Sequence, residues 1–209
     1  MYYDLMPLAW LIWHLGFRIR VIGRENLIHG RGFVLAPNHI SAIDPVFVII
    51  ARFWGLQMRI FAKKELYEVN AFVSWFITRA GAVAVRGNRD ERDVIDKTIA
   101  ECRAGRGLLI FPEGTREKDP SAGATDPIKS GAFVVAGTAG VDMIPCRVIY
   151  DTKDGKMHLF CRVRVCFGPA IPAQELEQGE KRDMKKLRAA KQHLADAWTA
   201  LYDTNRFEH

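Results

Sequence analysis

Short apolar segments alternate with longer helical patterns along the chain, and this alternation restricts the fold more than any other feature. Segments typical of strands cover 18–23, 33–36, 58–62, 82–85, 108–111, 143–150 and 157–167. Helical patterns cover 45–54, 65–79, 91–103 and 130–139, and a long amphipathic segment follows at 181–202. The last two strand segments flank Asp154-Gly155, which is typical of an antiparallel hairpin. Together these patterns predict an α/β fold with a mixed, mostly parallel central sheet and helices on both faces.

Length and composition agree with one such domain. The chain has 209 residues, of which 49% are hydrophobic and 26% are charged. This composition allows one large core and excludes disordered and fibrous classes. No repeat and no long linker divides the chain, so we predict a single domain over 18–209, preceded by a distinct segment over 1–17.

Basic residues are concentrated in the first half of the chain. Residues 1–110 carry 15 Lys/Arg and 10 Asp/Glu, and residues 111–209 carry 15 and 14, so the halves contribute +5 and +1. This asymmetry favours an anionic partner: nucleic acid, a phosphorylated metabolite or a membrane surface. The basic residues do not alternate with aromatic ones as in single-strand-binding proteins, so we expect no nucleic acid. The four cysteines form no CxxC pair, and we expect reduced thiols and no metal.

The segment over 1–17 is apolar and aromatic. Residues 5–13 form an uncharged run that is too short to cross a hydrocarbon core, which takes about 20 residues. It also lacks the basic start and cleavage site of a signal peptide. Trp10, Trp13 and Phe17 precede Arg18 and Arg20, a combination that suits the headgroup layer of a bilayer. The segment is either a helix packed on its own domain or a membrane-surface anchor, and we favour the anchor.

Four of the predicted strands end abruptly in polar residues. Segment 33–36 precedes His39, segment 58–62 precedes Lys63 and Lys64, segment 82–85 precedes Arg86, and segment 108–111 precedes 112–116. Ligands of open α/β sheets bind just beyond the carboxyl ends of the strands. If these strands are parallel neighbours, a histidine, an acid and several cations meet at one edge of the sheet.

His39 and Asp44 are candidates for acid–base chemistry. Five residues on an ideal helix would place them about 140° apart, so they cannot share a helical face. Asp44-Pro45 instead suggests a helix cap followed by a first-turn proline, with 39–44 forming a turn. The Asp44 carboxylate can then fold back onto the imidazole. Such a contact fixes the tautomer and leaves the second ring nitrogen free as a base.

Residues 112–116 form a second candidate site. The sequence Pro-Glu-Gly-Thr-Arg predicts a tight turn that offers backbone amides, the Thr115 hydroxyl and the Arg116 guanidinium. These groups suit a phosphate or a developing oxyanion. An ordinary turn with a solvated arginine is the alternative. Ser41, close to His39, is expected to support its turn and not to act as a nucleophile.

These motifs, in this order, resemble a known enzyme family. Asn38-His39-x4-Asp44, the Arg86 that follows the strand 81–85, 111–116 and Ile144-Pro145 match the four motifs of glycerolipid acyltransferases. The chain resembles the bacterial 1-acylglycerol-3-phosphate acyltransferases, the lysophosphatidic acid acyltransferases of the PlsC type. The resemblance spans roughly 18–168 and includes Ala62-Lys63-Lys64 and 129–133.

The resemblance implies transfer of a fatty acyl group from acyl-CoA or acyl-carrier protein to the hydroxyl of lysophosphatidic acid, which gives phosphatidic acid. It implies that His39 is the general base and Asp44 its orienting partner, with no cofactor beyond the acyl donor. The implied binders of the acceptor phosphate, and the residues that shape or hold their pocket, are Lys63, Arg86, Glu113, Gly114, Thr115 and Arg116. Glu113 has two possible roles, acceptor binding or holding its motif in place.

The implied partners are a membrane surface, a lysophospholipid and the acyl donor, at the cytoplasmic side of the cell membrane as a peripheral or monotopic protein. Another lysolipid or a glycerol-type alcohol is the alternative acceptor. A hydrolase that releases the acyl chain to water, and a lipid-binding protein without catalysis, are more distant alternatives.

Overall fold

The computed structural model describes residues 2–52, 57–63, 68, 71–85, 91–117, 127–177 and 183–208. Within these residues seven strands form one sheet: β1 (Arg18–Ile22), β2 (Phe33–Pro37), β3 (Arg59–Lys63), β4 (Ala82–Val85), β5 (Gly107–Leu109), β6 (Met143–Tyr150) and β7 (Arg162–Phe167). The helices are α1 (Tyr2–Gly16), α2 (Asp44–Ala51), α3 (Ala71–Arg79), α4 (Glu91–Arg103), α5 (Gly131–Ala139), α6 (Ala173–Leu176) and α7 (Met184–Asn205).

The strand order β1-β7-β6-β2-β5-β3-β4 makes neighbours of the four strands with polar ends. β2, β5, β3 and β4 are adjacent and parallel, and β6 runs parallel to β2. β7 is antiparallel to β6, and β1 is parallel to β7. The predicted mixed, mostly parallel sheet is therefore confirmed, and five strands end at the same edge. We call this the carboxyl edge; β1 and β7 begin there because they run in the opposite direction.

Both faces of the central strands β2, β5 and β6 are buried, as their continuous apolar sequences predict. In β2, Phe33 and Leu35 face one core with α2, while Val34 and Ala36 face a second core with α4, α5 and α7. This alternation is the period-two geometry of a strand covered on both sides. Helices on both faces are thus confirmed.

The long C-terminal helix closes the second core. Asp183 caps α7 by accepting from the backbone N–H groups of Lys185 and Lys186, at 2.9 and 3.0 Å. Its buried residues, Leu187, Ala190, Leu194 and Trp198, share one helical face. The Trp198 indole donates to the carbonyl of Ala36 at 3.0 Å, which attaches the helix to β2 three residues before His39.

Several element bounds differ from the sequence prediction, among them those of β5, β7 and α3. β5 ends at Leu109, so Ile110 and Phe111 already belong to the turn toward 112–116. β7 begins at Arg162, so residues 157–161 of the predicted strand 157–167 are not strand, because Phe160 adopts a left-handed backbone with φ of 65°. The antiparallel pairing of β6 with β7 is confirmed. α3 begins at Ala71, and residues 65–67 and 69–70 of the predicted helix 65–79 lie outside the described residues.

The N-terminal helix α1 lies against the domain on one side only. The Trp13 ring meets Phe47 of α2 at 6.5 Å between centroids, and the adjoining Phe17 is buried beside the same ring at 5.0 Å. Trp10, Leu11, Ile12 and Leu15 are exposed. Within the described ranges, no helix is both long and apolar enough to traverse a bilayer. An anchoring role for 1–17 stays a prediction.

Candidate active site at the carboxyl edge

His39 and Asp44 form the centre of the site. His39 follows β2 and Asp44 begins α2, and the turn between them brings Asp44 Oδ2 to 3.1 Å from His39 Nδ1. The expected fold-back of the carboxylate onto the imidazole is therefore present. Asp44 is the first residue of α2 and not its cap, since Ile43 precedes the helix as the capping position. His39 keeps 19% of its side chain exposed, and its Nε2 bonds to no described residue.

Four donors hold the Asp44 carboxylate, which is completely buried. Oδ2 accepts the backbone N–H groups of Ile40 and Ser41 at 2.6 and 2.7 Å, besides facing His39. Oδ1 accepts the hydroxyl of Tyr150. Burial and the negative charge of Asp44 raise the pKa of Tyr150 well above its ordinary value, so the phenol remains a donor. A buried carboxylate with this many donors is a rigid support for the imidazole.

The backbone of His39 is held from the neighbouring strand end. Glu113 Oε2 accepts the N–H of His39 at 2.6 Å, and the carbonyl of His39 accepts the N–H of Glu117 at 2.6 Å. The Phe111 ring lies against the imidazole, with centroids 4.2 Å apart. Glu113 is 1% exposed, so of its two implied roles the geometry matches that of holding the motif.

Asn38 attaches the same turn to β6. Its side-chain oxygen accepts from Val148 N–H at 2.7 Å, and its amide donates to the Val148 carbonyl at 3.3 Å. The side chain thus replaces one step of strand pairing where β2 leaves the sheet. The position of His39 is fixed on both sides, by β6 through Asn38 and by the β5 turn through Glu113.

Arg147 is a buried cation beneath this region. Its side chain is 1% exposed, and its guanidinium lies 5.2 Å from the centroid of the Tyr202 ring of α7. Burial lowers the pKa of Arg147, and the negative charges of Glu117 and Glu113 oppose that shift. Arginine stays charged even so. Arg147 is therefore the counter-charge of the two buried glutamates that hold the His39 backbone.

Replacing Arg147 by methionine is expected to destabilise the fold by about 3–5 kcal/mol, because it leaves buried carboxylates without their cation. The expected loss corresponds to a fall of roughly 10 °C in the unfolding midpoint for a domain of this size. Thermal or urea unfolding measures it, with the exposed Arg188→Met on α7 as the matched control. Equal midpoints for the two variants would show that Arg147 does not compensate these carboxylates.

The turn after β5 presents cations and amides to solvent. Gly114 adopts φ of 68°, and a Cβ there would lie 2.7 Å from Lys129 Nζ, so the Lys129 chain covers the turn. Thr115 and Arg116 are exposed, and their backbone N–H groups donate to no residue that the structure describes. Two cationic side chains and two amides are thus available at one turn, next to His39.

Two further predicted site residues are placed only in part. Lys63 ends β3 at the carboxyl edge, as expected, but its side chain lies outside what the structure describes. Arg86 follows β4 and lies outside the described residues.

Other nucleophiles near the site are not activated. Cys146 is completely buried, and burial raises the pKa of its thiol well above the ordinary value, so it stays protonated. The Ser41 hydroxyl accepts the N–H of Ile43 at 3.5 Å, which matches the expected supporting role in the turn. Among the described groups, His39 Nε2 is the one placed to accept a proton at the surface of the site.

A family model described as "Acyltransferase" matches residues 18–149, which include the complete His39–Asp44 turn and the turn after β5. The chain belongs to the acyltransferase family. The crystal structure of the 1-acyl-sn-glycerophosphate (LPA) acyltransferase PlsC from Thermotoga maritima has the same fold, with a TM-score of 0.64 and 19% identity. That alignment covers 97% of this chain and 78% of the other.

Several relatives carry one name, 1-acyl-sn-glycerol-3-phosphate acyltransferase. The protein of Borreliella burgdorferi is 31% identical over 84% of this chain and 70% of its own length. Those of Saccharomyces cerevisiae and Bacillus subtilis are 31% and 28% identical, over 63% and 61% of this chain. The chain spans 43% and 60% of the length of these two relatives. The acyltransferase family suggested by the sequence motifs is therefore confirmed.

Proposed function

We propose that this chain transfers a fatty acyl group from an acyl thioester to the free hydroxyl of lysophosphatidic acid, giving phosphatidic acid. The observation that carries the proposal is the buried Asp44 on Nδ1 of His39, with Nε2 left open at the carboxyl edge beside the turn of Arg116. Relatives named as acyltransferases of 1-acyl-sn-glycerol-3-phosphate support this acceptor.

The proposed chemistry needs one base and no enzyme nucleophile. Asp44 holds the tautomer with the proton on Nδ1, so Nε2 removes the proton of the acceptor hydroxyl as its oxygen attacks the thioester carbonyl. The C–S bond then breaks, and the imidazolium returns the proton to the leaving thiolate. The base supplies about 10²–10⁴-fold in rate.

The acceptor phosphate is placed at the turn after β5. The guanidinium of Arg116 and the ammonium of Lys129 supply charge, and the amides of Thr115 and Arg116 supply donors. Lys63, the last residue of β3, and Arg86, the residue after β4, complete this phosphate site in our proposal. A phosphate bound there positions the acceptor hydroxyl next to Nε2 of His39, so the energy of phosphate binding is used to orient the reacting groups.

We place the reaction at a membrane surface, on the cytoplasmic side of the cell membrane. The acceptor is a lipid with its phosphate at headgroup depth. Helix α1 exposes Trp10, Leu11, Ile12 and Leu15, and it ends at Gly16, just before β1 begins at the carboxyl edge. These residues suit the boundary between headgroups and acyl chains.

The test is phosphatidic acid formation by the purified chain from lysophosphatidic acid and a panel of acyl-CoA and acyl-carrier protein donors of equal chain length. Product with either donor supports the proposal and identifies the donor. Monoacylglycerol, which lacks the phosphate, is the matched control acceptor and is tested with the same panel of donors. Equal or faster acylation of monoacylglycerol would contradict a phosphate-bearing acceptor.

Arg116→Ala is expected to raise the KM for lysophosphatidic acid about 10- to 100-fold, since a charge-assisted hydrogen bond is lost. The KM for the donor and the rate with monoacylglycerol should change less than twofold. Initial-rate kinetics over both substrates measures this, with Arg188→Ala as the control far from the carboxyl edge. An unchanged KM for lysophosphatidic acid would remove Arg116 from the phosphate site.

A further inference from the structure

Exposed apolar side chains are concentrated at one place on the molecule. Among the described residues eight large hydrophobic side chains are exposed, and six of them belong to α1 or to one turn between β6 and β7: Trp10, Leu11, Ile12, Leu15, Leu159 and Phe160. Leu159 and Phe160 are 73% and 75% exposed. Scattered exposed hydrophobic residues are ordinary, but a cluster of this size marks an interaction surface.

The Leu159–Phe160 turn is attached to the end of α1. The Phe160 N–H donates to the Gly16 carbonyl at 3.1 Å. An open cavity of about 630 Å³ lies between them and is lined by Leu15, Phe160 and Arg18, among others. Phe160 holds a φ of 65°, a left-handed backbone conformation that is strained for a bulky residue. The fold keeps an aromatic ring in solvent at an energetic cost.

Arginines surround this apolar cluster. Arg18 pairs in register with Arg162, and Arg20 with Arg164, so like charges face each other across β1 and β7. Like charges directly opposite each other are unfavourable. The Phe207 ring lies 5.0 and 4.0 Å from the guanidinium groups of Arg162 and Arg164 and offsets part of this repulsion on β7. Asp151 binds Arg162 and supplies one negative charge. The side chains of Arg18 and Arg20 are exposed, and neither guanidinium makes a hydrogen bond or ion pair within the described part of the chain.

The cluster lies at the same edge as the active site. β1 and β7 begin where β2 and β6 end, so Gly16 and the turn before Arg162 lie at the carboxyl edge. A chain of ring contacts continues inward, from Trp13 to Phe47 at 6.5 Å and from Phe47 to Tyr150 at 5.8 Å. Tyr150 donates to Asp44. The apolar cluster and the catalytic pair are therefore parts of one packed unit.

We propose that the Leu159–Phe160 turn is a second membrane-inserting element, which together with α1 docks the carboxyl edge on an anionic lipid bilayer. Leu159, Phe160 and the exposed side of α1 enter the boundary of the acyl chains, and Arg18, Arg20 and Arg162 meet the anionic headgroups. Two points of insertion fix the orientation of the sheet, which one helix alone would leave free to rotate. The inference rests on the proposed membrane-borne acceptor, and it adds the element that orients the site toward it.

The test is partitioning of the intact chain onto vesicles of phosphatidylcholine with phosphatidylglycerol, measured by flotation. The Leu159→Ser/Phe160→Asn double variant is used because asparagine tolerates the left-handed backbone. Its partition coefficient is expected to fall at least about tenfold, since two apolar side chains no longer enter the bilayer. Met184→Ser is the control. Met184 is 52% exposed at the start of α7, about 27 Å along the helix from Tyr202 at the carboxyl edge.

Three results would overturn the inference: partitioning of the double variant within twofold of wild type, equal loss in Met184→Ser, or equal binding to pure phosphatidylcholine. A wild-type dimer that the double variant abolishes, with vesicle binding unchanged, would identify the cluster as an interface between copies. Circular dichroism and thermal unfolding verify that the double variant is folded.

Activity separates this inference from the proposed function. The double variant should keep wild-type rates on a water-soluble short-chain lysophosphatidic acid and lose at least fivefold on the long-chain acceptor in vesicles. Equal losses on both acceptors would contradict a role in docking. If the wild-type chain acylates neither acceptor, the proposed function fails, while flotation still decides whether the turn inserts.

Discussion

His39→Ala is expected to lower kcat for phosphatidic acid formation by about 10²–10⁴-fold, the loss that follows removal of a general base. The acceptor hydroxyl is a weak nucleophile until its proton is taken, and among the described groups Nε2 of His39 is the one open to it beside the Arg116 turn. The KM for either substrate should change little, because the imidazole acts in the transition state. Initial-rate kinetics at saturating donor and acceptor measures the effect.

His193→Ala is the matched control for that substitution. His193 also has a carboxylate on Nδ1, that of Glu175 at 2.9 Å, but the pair is exposed on the α6–α7 side of the molecule. This substitution removes an equal side-chain volume and an equivalent contact with a carboxylate, but away from the site, so the variant should keep wild-type rates. Activity of His39→Ala within tenfold of wild type would contradict base catalysis by His39.

Asp44→Asn is expected to lower kcat by about 10²–10⁴-fold while the substrates still bind. Oδ2 of Asp44 faces His39 Nδ1 and also accepts the N–H groups of Ile40 and Ser41. With the amide oxygen at the Oδ2 position these three donors keep an acceptor, and the NH₂ meets the Tyr150 hydroxyl in place of Oδ1. The amide carries no charge, so it no longer stabilises the imidazolium that forms when Nε2 takes the proton. With the amide reversed, its NH₂ faces Nδ1 and forces the proton onto Nε2, which then cannot act as a base.

Asp183→Asn is the control for this change. Asp183 also accepts two backbone N–H groups, but at the exposed cap of α7, where asparagine caps a helix equally well. Kinetics should be unchanged there. Because Asp44 is buried, unfolding of Asp44→Asn is measured in parallel. A folded variant that keeps wild-type kcat would reduce Asp44 to a structural role.

The sequence predicts which polar residues gather at the carboxyl edge, because each of them directly follows an apolar strand that can be recognised locally. If these strands are parallel neighbours, the polar residues at their carboxyl ends must lie at the same edge of the sheet. The order β2-β5-β3-β4 shows that the strands are neighbours. The fold-back of Asp44 onto His39 followed from proline after the acid. The sequence left two roles possible for Glu113, binding the acceptor or holding its motif in place. The hydrogen bond from the His39 N–H to the Glu113 carboxylate is visible only in the folded structure.

Residues that act across the sheet were not found from the sequence. Tyr150 is the last residue of β6. The rule that site residues lie at the carboxyl ends of strands was applied to four strands, and applying it to β6 as well would have identified Tyr150. Arg147 was the only charged residue within an otherwise apolar strand, which indicates a buried partner but not its identity. The identity depends on Glu113 and Glu117, which lie about 30 residues away and two strands across the sheet.

The turn before β7 was mistaken for strand because its apolar residues match a strand pattern. Period and composition favour extension through Leu159 and Phe160, yet the chain bends back to meet Gly16. That contact lies with α1, far away in sequence. The exposed apolar residues of this turn can be interpreted only once the turn is seen to lie beside α1, the segment for which the sequence favoured a membrane-surface anchor.

Thiol release and phosphatidic acid, followed together in one reaction with and without lysophosphatidic acid, test the direct transfer most sharply. With donor alone, thiol release should stay at the background rate, because no group of the enzyme takes the acyl chain. On addition of the acceptor, one thiol should appear for each phosphatidic acid formed. A burst of thiol equal to the enzyme before the acceptor is added, or continued release of thiol and free fatty acid without lipid product, would contradict the account.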